Sequence, residues 1–177
     1  MAESLQDNIQ NTATTIKLPP NSQEAEQSVL GGLMLNDQHW FDLVDILQPA
    51  DFYRNQHQLI YQAMIELANQ DEALDAVTVS ERLKSKAILE KAGGIEYLGQ
   101  LAESSTGASN VLAYAKIIRE RSVLRQLIGA ANQIADSAFS TEGKDSETLL
   151  EKAEQAIFSI SELSLIHISE PTRRAII

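Results

Sequence analysis

Apolar residues in this chain recur at three- and four-residue intervals over most of its length, the period of helices, and the places where that rhythm fails mark its boundaries. Residues 1–18 are polar and aperiodic and run into Pro19-Pro20, so they are expected to form a disordered leader. Periodicity begins after Asn21, which with Glu24 matches a capping box. The run that follows places Ala25, Val29 and Leu33 on one face with Ser28 and Gly32 beside it. Gly31-Gly32 lowers helix propensity, a loss usually offset by close approach of another backbone, so tight packing is expected there.

Short segments separated by breakers come next. WFDLVDIL stops at Pro49, and an Asp51-capped turn leads into HQLIYQAMIELANQ, where Leu59 or Ile60, Met64 and Leu67 recur at helical spacing. An extended LDAV stretch precedes a helix opening at Thr78 or Val79, and Gly93-Gly94 starts another, with Ile95, Leu98, Leu101 and Ala102 apolar. From Asn110 the chain runs about 30 residues without proline, a rod of roughly 45 Å. After the turn TEGKD, Asp145 or Ser146 caps a second arm in which Leu149, Ala153, Ala156 and Ile160 repeat, with Ile157 beside them. The predicted fold is therefore all-α: a compact multi-helix head over 19–107, then a long antiparallel helical hairpin over 108–162.

The long arm carries two apolar faces. Val111, Tyr114, Ala115 and Ile118 lie on one side; beyond 119–122, Val123, Leu124, Leu127, Ile128, Ala131, Ile134 and Ala138 centre about half a turn away. That second arc spans about 160°, wider than one neighbouring helix needs, so part of it is expected to meet another chain.

Charge and composition then remove functions. Asp and Glu number 25 against 14 Lys and Arg, a net charge of −11, and an acidic body repels a phosphate backbone. The densest basic group, Lys116, Arg119, Arg121 and Arg125, reads as a solvated helix face with intrahelical ion pairs. The chain has no cysteine, which excludes thiolate chemistry and disulfides and fits a reducing cytoplasm; no membrane span or export signal is seen. There is no G-x-x-x-x-G-K-[ST] to cradle phosphate and no G-x-S-x-G elbow. His39, His57 and His167 are isolated and read as surface or half-buried residues, and Glu24, Glu26, Asp51 and Asp75 as ordinary solvated acids. No catalytic, cofactor-binding or metal residue is expected.

Three blocks together, EAEQSVLGG, AGG-x-x-YL and AYA-x-I-x-RER, within residues 18–162, resemble in order and spacing the N-terminal domain of DnaB-type replicative helicases. The resemblance implies hairpins that pair between subunits, from dimer to hexamer, in a collar above a motor ring, with Leu124, Leu127, Ala131, Leu149, Ala153, Ile157 and Ile160 serving hairpin and dimer packing. It also implies primase docking around the head–hairpin junction, with Tyr97, Ile128 and Ile134 as contact candidates, and a helicase loader as a further partner. ATP, Mg²⁺ and DNA would belong to a motor domain that this chain lacks. Residues 163–177 depart from the family pattern, resemble translated cloning sequence, and are expected to be a non-native tail. A stand-alone helical adaptor and a carboxylate-based hydrolase are the competing readings.

Overall fold

Ser22, not Asn21, caps the first helix. In a computed structural model, which describes residues 17–105, 110–140, 143 and 145–166, the Ser22 hydroxyl accepts the Ala25 N–H at 3.3 Å. Asn21 instead donates its side-chain amide to the Pro19 carbonyl at 2.8 Å. Expectations for residues 1–16, for His167 and for the rest of the tail fall outside the described residues. The helices are α1 Gln23–Leu35, α2 Trp40–Ile46, α3 Asn55–Ala68, α4 Ala76–Ser85, α5 Gly94–Ser104, α6 Val111–Phe139 and α7 Ser146–Ile166. Short 3₁₀ turns occupy Pro49–Asp51 and Glu90–Ala92, and no strand occurs among the described residues.

The start of α4 differs from expectation. The Asp75 carboxylate accepts the Val77 and Thr78 N–H groups at 2.9 and 3.0 Å, so α4 begins at Ala76 rather than at Thr78 or Val79. Satisfying orphan donors outweighs the weak helix preference of Val77 and Thr78. Asp51 caps the turn ahead of α3 as expected: its Oδ2 accepts the Gln48 N–H at 2.8 Å within the first 3₁₀ turn, and α3 starts after Arg54. Gly93 takes φ 104°, a left-handed backbone that ends the second turn and opens α5 as anticipated.

The head is built around α1, which packs against α3, α5 and α6. Val29, Leu30, Leu43, Leu47, Phe52, Ile60, Met64, Leu83 and Leu98 are fully buried, each contributing about 2 kcal/mol of transfer free energy. Tyr61 lies between Trp40 and Phe52, at ring-centroid distances of 5.7 and 4.9 Å. Burial, reinforced by the charge of Asp51, pushes its phenol well above the ordinary tyrosine range. The diglycine performs the expected service: a Cβ on Gly31 would fall 2.0 Å from the Leu101 carbonyl oxygen, and one on Gly32 would fall 2.7 Å from Val111 Cγ2. Glycine thus lets α1 meet the backbone of α5 at Leu101 and the Val111 side chain at the start of α6.

The hairpin is α6 with α7. Helix α7 continues to Ile166, past the boundary expected at 162, so the first residues of the supposed tail extend the helix.

Candidate docking surfaces and the polar groups behind them

Helix α6 belongs to both parts of the molecule. Its first turns bury Val111, Ala115 and Ile118 in the head, whereas Leu127 and Ile128 are 40 % and 47 % exposed. Between these stretches lies a clamp. Asp51, itself buried, receives Arg119 Nη1 and Ser122 Oγ on Oδ1, each at 2.7 Å. One turn further on, Arg125 donates to the carbonyls of Pro20 and Asp51 at 2.7 and 2.6 Å, and its guanidinium stands 5.5 Å from the Tyr53 ring centroid. Arg119 and Arg125 are therefore not members of a solvated face, and Asp51 is not a solvated acid. They fix the direction in which α6 leaves the head.

Past the clamp, the α6–α7 seam holds Leu149, Ala153, Ala156 and Ile160 half-buried on α7, and Ile134 half-buried on α6. Ile134, Ala138, Leu149 and Ala153 line an open cleft of about 610 Å³ between the arms. At about 100° per residue, Leu124, Leu127, Ile128 and Ala131 flank the seam on one side of α6, and Leu150 and Ile157 flank it on α7. Because the helices are antiparallel, both flanks fall on the same side of the hairpin. Leu127, Ile128, Leu150 and Ile157 are all at least 40 % exposed, so one face of the hairpin is an apolar stripe in contact with solvent. The contact candidates thus separate: Ile128 lies on this stripe, while Ile134 is half-buried in the seam.

Tyr97 stands on α5, half-buried against the core. Its hydroxyl is 2.7 Å from His57 Nε2, and the Gln27 side-chain amide donates to it at 3.3 Å. His57 Nδ1 in turn lies 2.5 Å from Glu26 Oε2, while Glu26 Oε1 accepts the Tyr53 N–H at 2.7 Å. His57 is 0 % and Glu26 1 % exposed, so neither is the surface or solvated residue expected. The sequence did hold a signal. Glu26 shares a helical face with Val29, Leu30 and Leu33, and His57 one with Ile60, Tyr61 and Met64. One acid and one imidazole on otherwise buried stripes are a pair waiting to be joined.

Among the described residues, no group of three or more His, Cys, Asp or Glu side chains is placed to hold a metal ion. Nor is any helix among them long and apolar enough to cross a membrane.

Comparison with known proteins connects this architecture to a family. The replicative DNA helicase DnaB of Haemophilus influenzae is 40 % identical over 147 residues, which is 83 % of this chain and 31 % of that protein. The chain thus spans about a third of such relatives. The crystal structure of the N-terminal domain of DnaB helicase from Mycobacterium tuberculosis is similar at a TM-score of 0.77 and 36 % identity, covering 80 % of this chain and 99 % of that one. The N-terminal domain of Helicobacter pylori DnaB helicase, whose interactions with primase have been described, is similar at a TM-score of 0.55 and 26 % identity, covering 65 % of this chain and 89 % of that one. Residues 18–120 match the family model for the DnaB-like helicase N-terminal domain, and these residues include the whole head, the Gly31-Gly32 contact and the start of the clamp. The chain belongs to the DnaB-like helicase N-terminal domain family.

Proposed function

We propose that this domain is the assembly and docking module of a longer replicative helicase: its hairpin pairs with the hairpins of neighbouring copies to form a collar, and it presents that collar, with the adjoining edge of the head, to primase. The observation that carries this reading is the apolar stripe of Leu127, Ile128, Leu150 and Ile157, held away from the head's core by the Asp51 clamp. An exposed apolar stripe of this kind is suited to pairing with its own copy about a two-fold axis. The described interaction of the Helicobacter pylori domain with primase supports the second partner. Tyr97 and Ile128 are the docking contacts, and Leu124, Leu127, Ala131 and Ile157 the pairing contacts. Leu149, Ala153 and Ile160 hold the hairpin itself together, and Ile134 joins them in the seam. A helicase loader is a further partner of the same collar.

ATP hydrolysis, Mg²⁺ binding and duplex unwinding are assigned to the motor of the longer protein, where DNA is contacted. Sedimentation of this chain alone, and mixed with the C-terminal helicase-binding domain of the cognate primase, tests the reading. Self-association abolished by Ile157→Asn, together with a primase complex, is expected. A folded monomer that ignores primase would refute it.

A further inference from the structure

The docking reading makes no use of the most deeply buried titratable pair of the head, Glu26 with His57. Protons can be placed along this group in two self-consistent senses, of which the first has a neutral imidazole. A carboxylate only accepts hydrogen bonds, and Glu26 Oε1 is already occupied by the Tyr53 N–H, so the imidazole proton sits on Nδ1, facing Oε2 at 2.5 Å. A neutral imidazole then offers Nε2 as an acceptor. The Tyr97 O–H donates to it at 2.7 Å, and the Tyr97 oxygen accepts the Gln27 amide N–H at 3.3 Å. Each proton lying between two of these groups is used once, and Gln27 Oε1 takes no part in the wire.

One added proton reverses the outer half. The imidazolium carries N–H on both nitrogens, so Nε2–H now donates to the Tyr97 oxygen. The phenolic hydrogen turns to its other in-plane position, and the Gln27 amide, rotated by half a turn, accepts it on Oε1. Only the added proton is new, no other proton changes atom, and no buried group is left without a partner. The geometry points to a two-state hydrogen-bond wire, Glu26–His57–Tyr97–Gln27, whose sense is set by protonation of His57 and whose outer end, the free half of the Gln27 amide, changes from acceptor to donor.

The groups facing the imidazole are Glu26 from α1 and Tyr97 from α5. The nearby charges are engaged elsewhere: the Arg54 guanidinium is bonded to Gln23, and the Asp51 carboxylate to Arg119 of α6. Where this wire meets docking, the inference rests on the function proposed above. A primase surface that offers a carbonyl or carboxylate to Gln27 binds the protonated form better, and by reciprocity favours protonation of His57.

Side-chain NMR of the 177-residue chain between about pH 5 and pH 9 tests the wire without any partner. The expected result is a His57 ring that passes from the Nδ1–H tautomer to imidazolium, with the Gln27 side-chain amide following at the same midpoint. In Tyr97→Phe, His57 still titrates and Gln27 no longer follows. A His57 ring in one charge state throughout, or a Gln27 amide indifferent to it, overturns the proposal. Sedimentation with the primase domain then reads the link: binding about three- to tenfold tighter on the imidazolium side of the midpoint found by NMR than on its neutral side, flattened to less than about twofold in Tyr97→Phe. An unchanged slope in the variant overturns the link. Absence of a primase complex on both sides of the midpoint rejects the docking reading, and the NMR titration still decides the wire.

Discussion

Gly31 and Leu101 meet backbone to backbone: a side-chain carbon at residue 31 would overlap the Leu101 carbonyl oxygen at 2.0 Å. Helix α5 must therefore move if Gly31 gains a methyl group. Gly31→Ala is expected to lower stability by about 2–3 kcal/mol in urea denaturation, despite the higher helix propensity of alanine. A Cβ on Gly129, also inside a helix, would meet nothing within 4 Å. Gly129→Ala should accordingly raise stability by about 0.5–1 kcal/mol. Equal effects at the two sites would contradict the packing described for α1.

The Asp51 clamp predicts a loss that charge count alone does not. Asp51→Ala leaves the partly buried Arg119 guanidinium without its carboxylate and strips Ser122 of its acceptor. A cost of about 3 kcal/mol is expected in chemical denaturation. Glu120→Ala, on the exposed neighbour, should change stability by less than about 0.5 kcal/mol.

Asp75 ties stability to acid. Hydrogen bonds from the Thr78 N–H and hydroxyl, and then from the Val77 N–H, hold its carboxyl below the ordinary aspartate value. A folded-state value lower than the unfolded one gives stabilisation that is complete above about pH 4 and is lost as pH falls through the folded value. Asp75→Ala should cost about 1 kcal/mol at neutral pH and progressively less in acid. Asp75→Asn, which keeps a capping oxygen without the charge, should remove this share of the pH dependence while retaining most of the neutral-pH stability. Thermal melts between about pH 2 and pH 7 distinguish these outcomes.

On the hairpin, Ile128→Asn and Ile134→Asn should part company. Ile128 is 47 % exposed, so its replacement is expected to weaken self-association or primase binding with little change in melting temperature. Ile134 lies half-buried where the arms meet, and its replacement should destabilise the hairpin by about 1–2 kcal/mol. Circular-dichroism melts, paired with sedimentation, would expose the opposite pattern if the stripe were misassigned.

Helical periodicity made the head, the hairpin and the change of face in α6 legible, because each rests on local spacing. Val111 to Phe139 is a single helix as expected, and the apolar arc of Leu127 and Ile128 is left uncovered by α7. The polar interior was harder to read. Asp51 pairs with Arg119 across 68 positions, and Glu26 with His57 across 31, distances over which periodicity carries no information. Composition misled as well: in a chain with 25 acids, two buried ones do not stand out by type, only by the company they keep on α1 and in the turn before α3. The late start of α4 expected at Thr78 or Val79 has a simpler origin, since the capping of Asp75 outweighs side-chain preference over a single turn.

That α6 runs unbroken through the clamp makes it a lever with its fulcrum at Arg125. The arm from Arg125 to Phe139 measures roughly 21 Å at about 1.5 Å per residue. A tilt of about 10° at the fulcrum therefore sweeps its tip through roughly 4 Å, about the width of a methyl contact. Mechanical load applied to the head, or to the tip, is handed from one to the other with little slack, and the rigidity of the guanidinium bonds sets the gain.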